Sequence, residues 1–479
     1  MAPFGDMGGR VSLATYPLTA EIGYRYLGLD EAGSYRRLRV GTRGLIGLIY
    51  GADSIVEKPV PYRSAHLSSG YVALKREAGG DRLYAGLSAL QPGSGHQHGD
   101  LLNLITYSRD RMLTGEKRTH YHDPAQRVYS GASYAHNTVT VDETSQVHAN
   151  HLKGDRIPRI VTVVDLPAGQ VAEAHGDQAY SQTSVYRRII CQFKEYTVDI
   201  FDVRGGKVHD WFFHGVGEEP SFSIPMESKG GFEPALYVMR GEADYKTGAA
   251  DAPFTATWRI PADPNSEYAG RQRDVFSRVT MAGVPGQTAF ALSTFQDPGK
   301  HSLMVRHAGA DAPFVAVHEA YFKTPVATGV RNLPGDAVAA VEITHADGGR
   351  RLAVYGAGST EAGLSLKGRF GVIELDAEGR LRSLLLIQGS ELRRDGFQLK
   401  TDRDVSLSAT FDAGRAHLVS SPQIGFETLE GVPLYRTGHG ATVSLTIPAS
   451  ASPTGEDIQT SLALPGQTAE GPVPVDVEW

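Results

Sequence analysis

The chain has 479 residues, a formal net charge of −7 and 21% charged residues, the composition of an ordinary water-soluble protein, long enough for two or three domains unless one is a very large β-sandwich. The excess of basic residues that phosphate contacts require is missing, so nucleic acid is excluded as a predicted partner. No stretch approaches the roughly 20 apolar residues of a membrane span, and no signal-peptide pattern begins the chain, so we expect no membrane partner and a cytoplasmic location for the chain as written, or a periplasmic or secreted one if an upstream region is missing.

The first elements in chain order are helical. Ile22, Tyr26 and Leu29 recur at helical spacing within residues 16–50. A second helical pattern follows the break at Gly33–Ser34. Two such short helices cannot bury both their faces alone. We therefore expect residues 1–50 to pack onto the following domain or to be the end of a longer helical region upstream.

From Tyr62 onward the apolar residues recur with period two, as in Gly70–Arg76, Arg159–Val164 and Tyr196–Val203. Turn signals such as Asp347–Gly349 recur between these runs, which favours antiparallel sheets over alternating strands and helices. More than a dozen such runs indicate a large sandwich rather than a small barrel.

The predicted fold is therefore mainly β: a large antiparallel β-sandwich (51–390) after the helical segment (1–50). A change of register near Gly389 predicts a smaller C-terminal β unit (391–479). The single cysteine, Cys191, lies in an apolar alternating run, which predicts a buried structural thiol rather than a nucleophile.

Two histidines separated by one residue, His96 and His98, follow the turn-forming segment Pro92–Gly95. On an extended segment their imidazoles project from the same side, which suits two ligands of one metal or one ligand beside one catalytic base. The pair alone is weak evidence, because ordinary surface or core histidines show the same spacing.

A third histidine, His136, precedes a β-branched run that predicts a strand leaving a loop. Between the histidines, Glu116 and Asp123 offer carboxylates. Two imidazoles and one carboxylate from separate segments are a donor set that Zn²⁺ accepts with an open fourth position. The residues alone do not select Glu116 over Asp123.

The stretch from Gly93 to Gln146 resembles the zinc-containing heparinase II/III-like polysaccharide lyases. Members of that family carry a His-X-His-X-Asp segment followed by Ala-His-Asn-Thr-Val, found here as His96–Asp100 and Ala135–Val139 in the same order. The resemblance covers this segment closely and most of the chain loosely. It is specific for the superfamily and says little about which substrate is used.

The resemblance implies that His98, His136 and a carboxylate bind zinc. The carboxylate falls on Glu116, where the family commonly has aspartate, a residue of the same charge. The resemblance also implies that His96 stands at the reacting centre. Zinc would chiefly hold the loops of the site in place rather than activate water.

Lyases of this kind cleave the bond next to a uronic acid by β-elimination, which needs a base for the C5 proton, a group that neutralises the carboxylate and an acid for the leaving oxygen. The family recruits a tyrosine from this interval in some members, which points to Tyr121 or Tyr129 as acid or base. Arg118 and Arg127 are candidates to bind substrate carboxylates through paired hydrogen bonds, and Asn137 is a candidate to bind the enolate or to orient a ligand. Each of these residues also has a packing or solvated-loop interpretation.

Full-length relatives place a large helical toroid before the sandwich, and it supplies further catalytic groups. The chain has room only for its last helices, so we expect a truncated product, a partner helical subunit encoded separately, or a reduced site built on the sandwich; a homodimer is a further candidate assembly. The predicted substrate is an acidic polysaccharide or oligosaccharide such as alginate, a glycosaminoglycan or a bacterial exopolysaccharide. Because the protein is net negative, a local cluster of cations must attract such a polymer.

Two other function classes compete with the lyase. One is a carbohydrate-binding or structural sandwich without catalytic activity, in which zinc only holds loops together. The other is a metal-dependent hydrolase, which is disfavoured because no His-Glu-X-X-His helix is present.

The segment Val208–Gly215 resembles a sandwich strand of related lyases. Trp211, Phe212 and Phe213 are predicted to pack. His209 and His214 are predicted to satisfy buried polar groups rather than to act in catalysis.

Overall fold

The protein is represented by a computed structural model. It describes residues 62–67, 69–90, 98–115, 124–146, 158–234, 237, 245–266, 268–294, 297–309, 311, 313–412, 415–421, 424–427, 433–435, 440–465 and 473–478. The predicted helical segment 1–50 lies outside these residues.

The described part of the chain is built almost wholly of strands. In chain order they are β1 Ala65–Leu67, β2 Tyr71–Ala78, β3 Asp81–Ser88, β4 Leu104–Ser108, β5 Arg111–Met112, β6 Val139–Val141, β7 Arg159–Leu166, β8 Gly169–His175, β9 Val185–Gln192, β10 Tyr196–Arg204, β11 Val208–Phe213, β12 Ser221–Phe222, β13 Glu227–Lys229, β14 Tyr245–Ala249, β15 Phe254–Ile260, β16 Val275–Met281, β17 Gln287–Thr294, β18 Asp297–Ala308, β19 Phe314–Tyr321, β20 Ala327–Asn332, β21 Ala339–His345, β22 Arg350–Tyr355, β23 Gly358–Ser359, β24 Ser365–Lys367, β25 Phe370–Leu375, β26 Leu381–Arg394, β27 Phe397–Asp412, β28 Arg415–Ser420, β29 Ile424–Glu427, β30 Pro433–Tyr435, β31 Ala441–Ile447, β32 Ile458–Leu464 and β33 Val473–Glu478. The described helices are α1 Pro124–Ser130 and the 3₁₀ turns Ser133–Ala135, Ala269–Gln272 and Ala449–Ala451.

The strands form four main antiparallel sheets, which we number I to IV. Sheet I is β1 to β5 in order, and sheet II has the order β13-β14-β17-β18-β11-β6. Sheet III has the order β12-β15-β16-β19-β10-β9-β8-β7. Sheet IV follows β20-β21-β22-β25-β26-β27-β28-β33, with β23, β24, β31 and β32 attached, and β29 pairs only with β30 among the described strands.

Sheet III is the central layer, because successive residues of its strands face two different cores. Ile190 and Phe201 belong to the core shared with sheets I and II. Ile189 and Ile200, one residue away in each strand, belong to the core shared with sheet IV. This alternation follows from the two-residue period of a strand, so a sheet buried on both faces reads as a near-continuous apolar run.

Sheet IV is also covered on both faces. Leu385 of β26 faces sheet III, while Leu384 faces a core made by the strands of sheet IV that fold over it. The described chain is therefore a stack of sheets, and the predicted mainly-β sandwich fold is confirmed.

The predicted domain boundary near residue 390 falls inside strand β26. Gly389 lies at an irregularity in the pairing of β26 with β27, and sheet IV runs from Ala327 to Glu478. The division at residue 390 remains a prediction.

Cys191 is buried, as predicted. Burial raises the pKa of its thiol to about 12, which makes it a poor nucleophile at neutral pH. No helix in the described ranges is long and apolar enough to cross a membrane.

Candidate active site

The two described histidines of the predicted metal set lie side by side. The ring centroids of His98 and His136 are 5.3 Å apart, with the rings tilted by 45°. The His136 side chain is fully buried and His98 is 8% exposed. Two imidazoles bound to one tetrahedral zinc through bonds of about 2.0–2.1 Å have ring centres about 5 Å apart, so this spacing fits a shared ion.

His136 is placed by a tight backbone turn. It follows the 3₁₀ turn Ser133–Ala135 and comes three residues before strand β6. Its Nε2 lies 3.1 Å from the carbonyl oxygen of Ser130 at the end of α1. A ring that donates Nε2–H to a carbonyl carries its lone pair on Nδ1, and this arrangement orients metal-binding histidines in proteins.

The backbone next to His98 is held against the same turn. The Gly99 amide donates to the Gly131 carbonyl at 2.9 Å, and the Ser133 hydroxyl donates to the Gly99 carbonyl at 2.6 Å. A Cβ at position 99 would lie 2.8 Å from the Ser145 hydroxyl and 2.9 Å from that of Ser133. Glycine therefore permits the close approach that brings His98 to His136.

A buried polar network connects the loop that follows His98 to strand β6 and the residue before it. Gln146 accepts the Leu101 amide at 2.8 Å and donates to the Tyr186 hydroxyl at 2.7 Å. That hydroxyl donates in turn to the Val139 carbonyl at 2.6 Å, and the Thr138 hydroxyl donates to the Leu101 carbonyl at 2.7 Å. The loop is thereby tied to the element that presents His136.

Asn137 is fully buried and joins three segments. Its side-chain oxygen accepts the His214 amide at 2.7 Å, and its side-chain nitrogen donates to the Gly115 carbonyl at 3.4 Å. Its backbone amide donates to the Asn103 side chain at 3.0 Å. Of the two predicted roles for Asn137, these contacts favour orienting the site over direct binding of substrate, and both remain predictions.

A buried ion pair supports the same loops from beneath. Arg188 and Asp199, at most 1% exposed, form two hydrogen bonds at 2.7 and 2.6 Å. Arg188 also donates at 2.6 Å to the carbonyls of both Leu102 and Asn137. Leu102 has φ 59°, a left-handed conformation that is strained for leucine. The guanidinium therefore fixes a strained loop beside the histidine pair, and Asp199 also contacts His318 Nε2 at 3.1 Å.

Tyr129, a predicted acid or base, is 2% exposed. Its ring lies 5.4 Å from that of Tyr134, and both belong to an apolar cluster with Phe212 and Tyr237. Burial raises the pKa of Tyr134. These contacts favour the packing interpretation of Tyr129.

Arg127, a predicted substrate-binding residue, is exposed on α1. Five other predicted site residues lie outside the described residues: His96, Glu116, Arg118, Tyr121 and Asp123. Within the described ranges no group of three His, Cys, Asp or Glu side chains is arranged to hold a metal.

The packing predicted for the segment Val208–Gly215 is confirmed, and that its two histidines take no part in catalysis remains a prediction. Trp211, Phe212 and Phe213 are each 1% exposed. His209 Nε2 contacts the Gly205 carbonyl at 2.8 Å, and the two ring nitrogens of His214 contact the Ser302 hydroxyl and the Tyr134 carbonyl at 2.7 and 3.1 Å.

Sequence reasoning missed the Arg188–Asp199 pair, although a signal was present. Arg188 lies on the same face of its strand as the core residue Ile190, and Asp199 lies on the same face of its strand as Phe201. Opposite charges on the core-facing sides of consecutive strands indicate a buried ion pair, because burying an unpaired charge costs too much free energy.

Part of the chain is similar to known proteins. The family described as "Heparinase II/III-like, C-terminal" matches residues 59–215, which include both histidines, and no protein of curated function matches the chain. Heparan sulfate lyase HepC from Pedobacter heparinus is 13% identical with a TM-score of 0.46, over 73% of this chain and 49% of that one. A structure titled heparinase III is 13% identical with a TM-score of 0.44, over 71% and 48%.

This chain thus spans about half the length of the solved structures to which it is similar. The matched residues contain the sheet I strands, α1, the histidine pair and strand β11. Residues 59–215 are therefore similar to the C-terminal part of heparinase II/III-like proteins.

Proposed function

We propose that this chain is the β-sandwich part of a polysaccharide lyase that cleaves uronate-containing polymers by β-elimination, with a zinc ion organising the site. The observation that carries the proposal is the buried His98–His136 pair with its 5.3 Å ring separation. Two adjacent buried imidazoles, one oriented by a carbonyl, suit a metal better than they suit two separate structural roles.

We assign His98, His136 and Glu116 as the residues that would hold the ion. When bound, zinc would supply a positive charge that holds together the segments that contribute its ligands. Donation of Nε2–H to the Ser130 carbonyl selects the tautomer of His136 that has its lone pair on Nδ1, the nitrogen through which this ring would bind such an ion.

The proton transfers are assigned to residues of this chain. His96 is proposed at the reacting centre, where an imidazole titrates near the pH at which it must exchange a proton. Tyr121 is the stronger candidate for the second acid or base, because Tyr129 is buried in the aromatic cluster. Arg127 and Arg118 are proposed to pair with substrate carboxylates, whose charge must be neutralised as the C5 proton leaves.

The test is incubation of the full chain with heparan sulfate, alginate and other uronic polymers while the ultraviolet absorbance of the new conjugated double bond is followed. We expect a rise with at least one polymer, and a loss of about 10²-fold or more in rate for His96→Ala and His136→Ala. His345→Ala is the control, since this buried histidine lies in sheet IV and bonds Tyr196.

An alternative function is a non-catalytic carbohydrate-binding or structural sandwich with a structural zinc. It would be favoured if no polymer gave the absorbance rise while affinity electrophoresis still showed retardation. New reducing ends without a double bond would instead indicate hydrolysis and would contradict the lyase.

A further inference from the structure

We propose that a second surface of this chain binds an acidic polysaccharide that extends from the His98–His136 site. We call it the basic aromatic surface; its members are Arg109, Tyr268, Arg271, Arg273, Phe322 and Lys323. The inference rests on the proposed function only in taking the same class of polymer as ligand.

The first support is the stacking of guanidinium groups on aromatic rings. Arg273 lies 4.0 Å from the centre of the Phe322 ring, and Arg109 lies 5.1 Å from the same ring. Arg271 lies 5.1 Å from the ring of Tyr268, which is 51% exposed. Stacking on a ring holds a guanidinium in one orientation, from which Arg273 can form forked bonds with a carboxylate or sulfate. The Nε–H groups of Arg109 and Arg271 are already donated to the carbonyls of Ala320 and Asp110.

The second support is backbone strain at the turn that presents Arg109. Arg109 and Asp110 join β4 to β5 with φ 54° and 55°, a two-residue turn that usually contains asparagine or glycine. Asp110 is held from the other side, since its carbonyl accepts Arg271 Nε at 3.0 Å. Strain that the surroundings maintain is typical of functional surfaces, and here it fixes the guanidinium over Phe322.

The positive charge of the basic aromatic surface also favours an acidic ligand. Arg271, Arg273 and Lys323 form no salt bridge with a carboxylate of the described residues, whereas Arg109 lies 3.5 Å from Asp81. The whole chain carries −7, so an acidic polymer is repelled by the average field and needs a local cationic cluster. A neutral polymer would need no such cluster.

The chain itself also connects this surface to the histidine pair. From the turn at Arg109 the chain runs through β5 to Gly115, whose amide donates to the His214 carbonyl at 2.6 Å. Gly115 also accepts Asn137, the residue that follows His136. At about 3.3 Å per residue these six steps span at most about 20 Å, because the first of them lies in the turn; a few units of an extended polymer bridge such a length.

The experiment is affinity electrophoresis of the full chain in gels that contain heparan sulfate, alginate or neutral dextran. For Arg273→Glu combined with Lys323→Glu we expect about tenfold weaker retention by the acidic polymers, because two charge-assisted contacts become repulsive. Tyr268→Ala is expected to weaken retention several-fold. Turnover of the polymer should show a raised KM and an unchanged kcat.

The matched control is Arg393→Glu combined with Lys400→Glu, which makes the same charge change at exposed positions of β26 and β27. Equal weakening in both double variants, equal retention by dextran, or a fall in kcat alone would overturn the inference. Selective weakening without turnover of any polymer would support the binding surface and contradict the lyase. Turnover with no selective weakening would leave the lyase standing and contradict the surface.

Discussion

Replacing Arg188 by alanine is expected to lower the free energy of unfolding by about 3–5 kcal/mol. The substitution leaves the Asp199 carboxylate buried without its bidentate partner, and it removes the hydrogen bonds to the carbonyls of Leu102 and Asn137. The strained backbone at Leu102 then loses its main polar support. Urea denaturation followed by circular dichroism measures the loss.

The next residue in the chain provides the control. Arg187 also forms a bidentate pair, with Asp177, but its side chain is 34% exposed. Arg187→Ala is therefore expected to cost only about 0–1 kcal/mol, because water replaces much of the interaction. Equal costs for the two alanine variants would contradict the structural role given to Arg188.

The same ion pair predicts a pH dependence. Burial raises the pKa of Asp199, but the charge and hydrogen bonds of Arg188, with a contribution from His318, outweigh it and lower the pKa from 3.8 to about 2. Because the folded pKa lies below the unfolded one, this stabilisation is fully present above about pH 4 and is lost as the pH falls towards 2. The free energy of unfolding of Arg188→Ala should therefore change much less between about pH 4 and pH 2 than that of the unsubstituted protein.

Replacing His136 by alanine is expected to weaken zinc binding by about a thousandfold or more, about 4 kcal/mol. The variant removes one of two imidazoles that stand 5.3 Å apart, and it leaves the Ser130 carbonyl without the ring it contacts. Competition with a fluorescent zinc chelator measures the affinity. Saturating zinc should raise the Tm of the unsubstituted protein and leave that of His136→Ala unchanged.

His98→Ala should show the same loss of zinc affinity, and His345→Ala should show none. Because His345 is also buried and hydrogen-bonded, it controls for general damage to a sheet. Equal zinc affinity in the His136→Ala and unsubstituted proteins would remove His136 from the metal site, and the same result for His98→Ala would remove His98.

The period-two runs predicted strands well, because alternation directly reports the two faces of a strand. The run Tyr196–Val203 corresponds to β10, and Arg159–Val164 lies within β7. Alternation does not report which sheet covers which face, so the stacking of sheet III between two other layers could not be predicted. The pairing register that brings Arg188 beside Asp199 is likewise a long-range property.

The pairing of His98 with His136 was predicted from the order of the two motifs that contain them. Spacing alone would not have predicted it, because His-X-His also describes ordinary histidines. Its setting could not be predicted in the same way. The contacts of Asn137 with Gly115 and His214 join positions 22 and 77 residues away. Such contacts depend on the assembled sheets, and a local pattern carries no information about them.

The most direct test of the account is a zinc titration of the metal-depleted protein during turnover of the uronic polymer that gives the strongest absorbance rise. We predict that the rate of double-bond formation rises with zinc and saturates at about one equivalent, and that His136→Ala shows no rise at these concentrations. A rate that does not depend on zinc, or the absence of a double bond with every uronic polymer, would contradict a zinc-organised lyase site built on His98 and His136.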